Sequence, residues 1–350
     1  MAKILVTGGA GYIGSHTVVE LMNAGYEVVI IDNFSNSDAS ALGGIEQITG
    51  KAPTFYNIDL CDKEDLNYCL EKEKDVDAII HFAAFKAVGE SERLPMKYYN
   101  NNVVGMVNLL DCIIKNNLNN FVFSSSCTVY GDADELPVTE NSPMKKAESA
   151  YGFTKQVGER MLSDVSKSDN LRVISLRYFN PIGAHDTALI GELPIGVPNN
   201  LVPFITQTAI GLREQLTVFG NDYDTPDGTN VRDYIHVVDL AKAHVKAVER
   251  LINKRAEDNL EIFNLGTGVG NSVLEVVNTF EKVSGEKLNY KIGARRAGDV
   301  VSIYADTKRA GDVLGWKTER DLSNSLSTAW KWELALKERR EISGDTENSN

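Results

Sequence analysis

Tyr151 and Lys155 stand four apart in Ser149-Ala150-Tyr151-Gly152-Phe153-Thr154-Lys155. That spacing puts both side chains on one face of a helix, one turn from each other. There an ammonium eases ionisation of a phenol, so the pair is a candidate proton acceptor with its activator. Such pairs are common by chance, and this one gains weight from two companions. Ser124-Ser125-Ser126 ends an apolar run 25 positions before the tyrosine, and Thr7-Gly8-Gly9-Ala10-Gly11-Tyr12-Ile13-Gly14 forms a glycine-rich turn near the N-terminus.

The turn reads as GxxGxxG through Gly8, Gly11 and Gly14, and as GxGxxG through Gly9, Gly11 and Gly14. It follows a strand pattern and opens a helical one. In that setting glycines let the backbone approach a pyrophosphate, and the helix N-terminus offers unpaired N–H groups. The second strand pattern ends on Asp32, 18 residues after Gly14. A carboxylate there accepts both hydroxyls of an adenosine ribose and repels a 2′-phosphate, so the expected cofactor is NAD rather than NADP. Gly50-Lys51 resembles the end of a phosphate loop, but Ala52 follows it and the upstream glycine spacing is wrong.

The elements that must position these residues alternate. Strand patterns fall at 3–7, 27–32, 54–58, 78–82, 120–125 and 171–178, with helical patterns at 13–24, 63–74, 95–116 and 150–166 between them. Short Val/Ile/Phe-rich strands separated by longer amphipathic helices predict an α/β fold, a doubly wound parallel sheet of Rossmann type. The serine run sits at the carboxyl end of its strand, which is the ligand side of such a sheet. After Phe179 the texture changes. Residues 180–200 are rich in Gly, Pro and polar residues and read as a functional loop. Helices are expected near 200–211, 238–252 and 272–283 and from 306 and 322, with strands at 216–219 and 261–265. This is a smaller, mixed α/β C-terminal portion. Residues 338–350 have no apolar face and are expected to form a disordered tail.

Composition narrows the class. The chain has 350 residues, 43 % apolar and 24 % charged, as in an ordinary globular protein of one large or two joined domains. No run approaches the ~18–20 uncharged apolar residues that span a bilayer. The N-terminus turns polar too early for a signal peptide. A net charge of −13 argues against a nucleic-acid partner, and it requires local cations if a ligand is anionic. Cys61, Cys69, Cys112 and Cys127 lack CxxC spacing and read as reduced thiols of a cytoplasmic protein. His16, His81, His185, His236 and His244 form no ligand motif, so no metal site is expected. Cys127 follows Ser126 directly, yet a small packing residue is the better reading.

Longer strings carry a resemblance. The glycine turn, Ser124-Ser125-Ser126-Cys127-Thr128-Val129-Tyr130-Gly131 and Tyr151-x-x-x-Lys155 together resemble the extended short-chain dehydrogenase/reductase family. Lys86-Ala87-Val88-Gly89-Glu90-Ser91, Arg177-Tyr178-Phe179-Asn180-Pro181, Pro198-Asn199-Asn200-Leu201, Val231-Arg232-Asp233-Tyr234-Ile235-His236-Val237 and Arg295-Arg296-Ala297-Gly298-Asp299 narrow it to the members that epimerise UDP-glucose at C4. The likeness runs from Lys3 to about Trp332.

The resemblance implies interconversion of UDP-galactose and UDP-glucose. Tyr151 takes the proton of the sugar 4-hydroxyl while NAD⁺ accepts a hydride from C4, the 4-keto sugar rotates, and the hydride returns to its other face. Ser126 is implied to align the 4-oxygen. Lys155, with the cationic nicotinamide, is expected to bring the Tyr151 phenol from about 10 towards 7. Cofactor contacts are implied at Gly8, Gly11, Tyr12, Ile13, Gly14, Asp32, Asn33, Asp59, Leu60, Phe82, Lys86, Asn101, Tyr151 and Lys155. Substrate contacts are implied at Ser126, Tyr151, Phe179, Asn180, Asn200, Leu201, Phe219, Arg232, Arg296 and Asp299. Of these, Arg232 and Arg296 hold the diphosphate, and Asp299 the uridine ribose.

The resemblance divides the chain into an NAD-binding part at 1–179 and a mainly UDP-sugar-binding part at 180–337, interleaved with the first. It also implies a homodimer paired through helices 95–116 and 150–166. Ile303 falls near a sugar-pocket position and leaves acceptance of N-acetylated UDP-hexosamines open. A 4,6-dehydratase of the same family would carry an Asp-Glu pair after the threonine of the serine string's position, and here Cys127-Thr128 stands there instead. A non-catalytic NAD-binding regulator would have lost the tyrosine or the lysine, and both are present.

Overall fold

Apolar residues in the first half repeat so that alternate side chains serve opposite faces of one sheet. In the computed structural model, which describes residues 1–296 and 298–343, Ile4, Val6, Val28 and Ile30 enter one core while Leu5, Val29 and Ile31 enter another. Helices cover both faces: Tyr12–Asn23 and Val237–Ile252 on the first, Lys63–Lys72 and Gly105–Lys115 on the second. Two-sided burial explains why the strands read as continuous apolar runs.

The sheet has seven strands, all parallel: Leu260–Leu265, Arg172–Tyr178, Asn120–Ser126, Ala78–His81, Lys3–Thr7, Glu27–Ile31 and Thr54–Tyr56, in that spatial order. The chain winds outward from Lys3–Thr7, then returns to its other side at Ala78–His81. At such a reversal the flanking crossovers diverge and leave a crevice at the carboxyl ends of the strands.

The second half builds a smaller unit. Val231–His236 is flanked by Asn180–Ile182 and Ser302–Ile303 in parallel and by Gly270–Ser272 antiparallel, and Leu216–Phe219 pairs with Tyr290–Gly293. Helices Leu201–Ala209, Val273–Ser284 and Leu322–Ser343 bring Val202, Ile205, Val276, Val277, Phe280 and Leu326 into a core of its own. The strand Leu260–Leu265 leaves this unit to edge the main sheet, so the two halves interlock.

Three expectations need correction. Ser40–Thr49 is a helix that the sequence did not announce, because Gly43 and Gly44 depress its propensity. The stretch 95–116 is not one regular helix. Pro95–Tyr98 and Gly105–Lys115 are joined by wider turns over Tyr99–Val104. These turn Asn102 inward, where it accepts from Phe85 N at 2.9 Å and donates to Phe85 O at 2.9 Å. Finally, the last helix runs through Ser343 rather than ending near Lys337. Arg339 ties it back by donating to Ala188 O at 2.9 Å and lying over the Trp332 ring. The rest of the expected tail, 344–350, lies outside the described residues.

Candidate active site

Ser149 starts the tyrosine helix Ala150–Ser168, its hydroxyl accepting from Gly152 N at 3.1 Å. Tyr151 therefore lies in the first turn, where backbone N–H groups lack helical partners. Its own N–H is taken by the buried Ser91 hydroxyl at 3.1 Å. One turn on, Lys155 is 5 % exposed and donates to Ser124 O at 2.6 Å, which fixes the helix against the carboxyl end of Asn120–Ser126. Ser126 closes that strand and a hydrogen bond from it favours the ionised phenol.

Burial sets the electrostatics here. Desolvation pushes the Tyr151 phenol up to about 12 despite Ser126, and lowers the Lys155 ammonium to about 8, with Glu159 opposing. The Lys155 ammonium is directed to Ser124 O and lies 5.9 Å from the Tyr151 ring centroid, so burial outweighs it at the phenol; the expected lowering calls on the cationic nicotinamide as well. Below Lys155, Glu159 accepts from Ser125 Oγ at 2.6 Å and from Arg177 Nη2 at 2.6 Å and Nε at 2.9 Å. Arg177, 1 % exposed, also donates to the Tyr130 hydroxyl, which donates to Asn264. This buried network ties the helix to three strands. The sequence does not single out Glu159, though its partner opens Arg177-Tyr178-Phe179-Asn180-Pro181.

The glycine turn is a close fit. Gly8 has φ +71°, and a Cβ on Gly14 would lie 2.1 Å from Gly8 O. Gly11 precedes the first helix with no side-chain cap, so its first-turn N–H groups remain for a ligand. Asp32 accepts from Ala10 N at 3.1 Å and from Phe34 N and Ser37 Oγ, which orients its carboxylate beside the turn. A backbone cradle that excludes any Cβ, an uncapped helix end and a carboxylate at the next strand end fit an NAD dinucleotide.

These groups meet in one cleft of about 760 Å³. Its wall carries Gly8, Gly11, Tyr12, Ile13, Gly14, Asp32, Asn33, Phe82 and Lys86, together with Ser126, Tyr151 and Lys155. It also carries Phe179, Asn180, Asn200, Leu201, Phe219, Arg232, Arg296 and Asp299. Asp59, Leu60 and Asn101 are not on the wall. Asp59 accepts from Asn33 at 3.1 Å, Leu60 is buried, and Asn101 donates to Asn102 at 2.9 Å. Asn102, next to the expected residue, also donates to Thr154 at 3.2 Å and so joins the tyrosine helix to Phe85. Ile303 is also off the wall, buried with Cys127 and Phe179.

Asp299 gathers the arginines. Arg296 meets it through two bonds of 2.7 and 3.1 Å, and Arg232 lies 3.8 Å away. Arg232 is further fixed by Val231 O and Val300 O. The Arg296 guanidinium lies 5.7 Å from the Phe219 ring centroid. Burial pushes the Cys127 thiol up to about 12, which leaves it little nucleophilic character. Among the described residues no cluster of His, Cys, Asp and Glu is arranged to hold a metal, and no helix is long and apolar enough to cross a membrane.

A doubly wound sheet with this cradle and a Tyr-Lys-Ser cluster defines a dinucleotide-dependent enzyme of the short-chain dehydrogenase type. Comparison with known proteins narrows the class. Residues 4–266 match the model of the NAD dependent epimerase/dehydratase family. The UDP-glucose 4-epimerase of Bacillus subtilis (strain 168) is 52 % identical over 331 residues, 94 % of this chain and 96 % of that protein. Its counterpart in Drosophila melanogaster is 51 % identical over 337 residues, again 94 % and 96 %. The crystal structure of UDP-glucose-4-epimerase from Stenotrophomonas maltophila, with bound NAD and formylated UDP-arabinopyranose, superposes with a TM-score of 0.93 at 46 % identity. That match covers 97 % of this chain and 100 % of the other. The enzyme from Bifidobacterium longum, in complex with NAD⁺ and UDP, gives 0.91 at 44 %, covering 95 % and 98 %. The chain belongs to the NAD-dependent epimerase/dehydratase family.

Proposed function

We propose that this chain interconverts UDP-galactose and UDP-glucose, with Tyr151 as the group that takes and returns the proton of the sugar 4-hydroxyl. The observation that carries this is the convergence of Tyr151, Ser126 and Lys155 with the glycine cradle and two arginines on one cleft. Gly8, Gly11, Gly14 and Asp32 would hold NAD, which when bound supplies a reversible hydride acceptor at sugar C4. Ser126 positions the 4-oxygen against the phenol, so proton transfer happens within a fixed hydrogen bond. Lys155 fixes the strand end and sets the local charge. Arg232 and Arg296 receive the diphosphate as planar forks, and Asp299 orients them. Nothing in this scheme needs a covalent adduct.

In this reading residues 1–179 chiefly serve NAD and catalysis and 180–337 chiefly serve the UDP-sugar, in a cytoplasmic protein. A homodimer completes it. Leu94, Met96, Val104, Val107 and Phe153 leave large apolar side chains exposed on and beside the helices expected to pair. Sedimentation showing only monomer at micromolar concentration removes the dimer.

The test is to incubate the purified protein with UDP-galactose, without added NAD, and to identify products by NMR. UDP-glucose is the expected product. No UDP-glucose, even after NAD is supplied, rejects the assignment.

A further inference from the structure

Glu192 lies on the loop between Asn180–Ile182 and Leu201–Ala209, on the cleft wall, with its side chain 13 % exposed. One carboxylate oxygen, Oε1, accepts from two residues at once: Lys86 Nζ at 3.1 Å and Asn200 Nδ2 at 2.6 Å. By the reading above, on which this inference rests, Lys86 belongs to the NAD side and Asn200 to the sugar-nucleotide side.

The loop does not need this carboxylate to keep its place. Trp332 of the last helix donates to the Glu192 carbonyl at 2.8 Å, and a Cβ on the preceding Gly191 would lie 2.5 Å from the Trp332 ring. The backbone is thus anchored on its own, and the acid is aimed into the cleft. A negative charge is the wrong sign for a cleft that takes two diphosphates, because it both repels them and neutralises a cation they could use.

We propose that Glu192 is an affinity-setting residue, a charge brake that weakens the hold on nucleotide diphosphate so that product leaves. Affinity shared equally by substrate and product lowers KM without raising kcat, so an acid that removes some of it costs the chemical step nothing. The sign is the same whether Lys86 stays on Glu192 or turns to NAD. In the first case the acid masks a cation, and in the second it is an unpaired anion near the ligand.

The test is calorimetric titration of the NAD-bound protein with UDP at two salt concentrations. Glu192→Gln keeps an acceptor for both partners and removes the charge. It should tighten UDP by about three- to tenfold and steepen the loss of affinity with salt. KM for UDP-galactose should fall alongside, without a rise in kcat. Glu192→Asp keeps the charge and should stay within about twofold of the unsubstituted protein. Glu192→Ala also removes the charge and should tighten UDP as well, which keeps the test decisive if the glutamine variant misfolds. Unchanged or weaker UDP binding in either neutral variant overturns the proposal, because a merely structural glutamate predicts that result. Binding is read apart from turnover. UDP tightened by Glu192→Gln in a protein that does not convert UDP-galactose supports the brake and rejects the epimerase reading. Active turnover with unmoved UDP affinity does the reverse.

Discussion

The two sides of the cleft are made differently. On the side proposed for NAD the groups are backbone: strand ends, a turn with no room for a Cβ, and an uncapped helix. They come from one contiguous strand–turn–helix, and Asp32 at the next strand end is hydrogen-bonded to that turn. On the side proposed for the UDP-sugar the groups are side chains brought from residues 179–201, 219, 232, 296 and 299, held by loops and by ion pairs among themselves. A backbone site is preorganised by the sheet. A side-chain site in an acidic protein must carry its own counter-ions, and Asp299 supplies one here. Tyr151 sits where the two meet.

Substitutions should separate the sides. The largest effect is expected at the junction: Tyr151→Phe should lower kcat by about 10³-fold while NAD remains bound, read by product NMR and by the cofactor released on denaturation. Substantial residual turnover contradicts the proton role. Next is the buried support of the sheet side. Glu159→Ala leaves the Arg177 guanidinium without its partner and should destabilise the protein by about 3–5 kcal/mol in denaturant unfolding. A loss below about 1 kcal/mol would show that Arg177 is satisfied otherwise.

On the substrate side Arg232→Ala should raise KM for UDP-galactose by about 10- to 100-fold, with NAD retention unchanged. Arg296, the more exposed of the two, should show less. If Arg232→Ala also releases NAD, the distinction between the sides collapses.

A pH effect belongs to both sides. Burial holds His16, His81 and His236 at about 3 and His244 at about 4, against 6.5 in the unfolded chain. As pH falls below 6.5 the unfolded chain binds protons that the folded one does not. The stability is therefore complete above 6.5 and is lost on acidification, by up to about 1.4 kcal/mol per histidine per pH unit. The melting temperature should be level from pH 7 to 8 and drop below 6.5. A level profile down to pH 5 rejects the assignment of these rings as buried and neutral.

The same contrast decides what the sequence revealed. The main sheet was legible because two-sided burial makes its strands continuous apolar runs, and the glycine turn because its chemistry is local. Leu260–Leu265 was visible as a strand, but nothing local could announce that it pairs with Arg172–Tyr178. Val231–His236 alternates too weakly to be read as a strand, and its partners are two or three residues long. Ser40–Thr49 was hidden by glycines, and Gly44 is required by close packing on Leu189 and Ile190. Most residues expected at the site do reach the cleft. The misses are of another kind: Ser91, Asn102 and Glu159 act by holding residues 17 or more positions away, and Glu192 meets Lys86 from 106 positions away. The Tyr151–Lys155 spacing was readable, yet the direction of the Lys155 ammonium depends on Ser124 O, which no spacing records.

In the proposed reaction the hydrogen at sugar C4 is removed and returned within one closed site. The most direct measurement uses UDP-galactose deuterated at C4, incubated with the protein as purified and followed by NMR. The predicted result is UDP-glucose that keeps its deuterium at C4. UDP-glucose whose C4 hydrogen has exchanged with solvent, or no UDP-glucose at all, would contradict it.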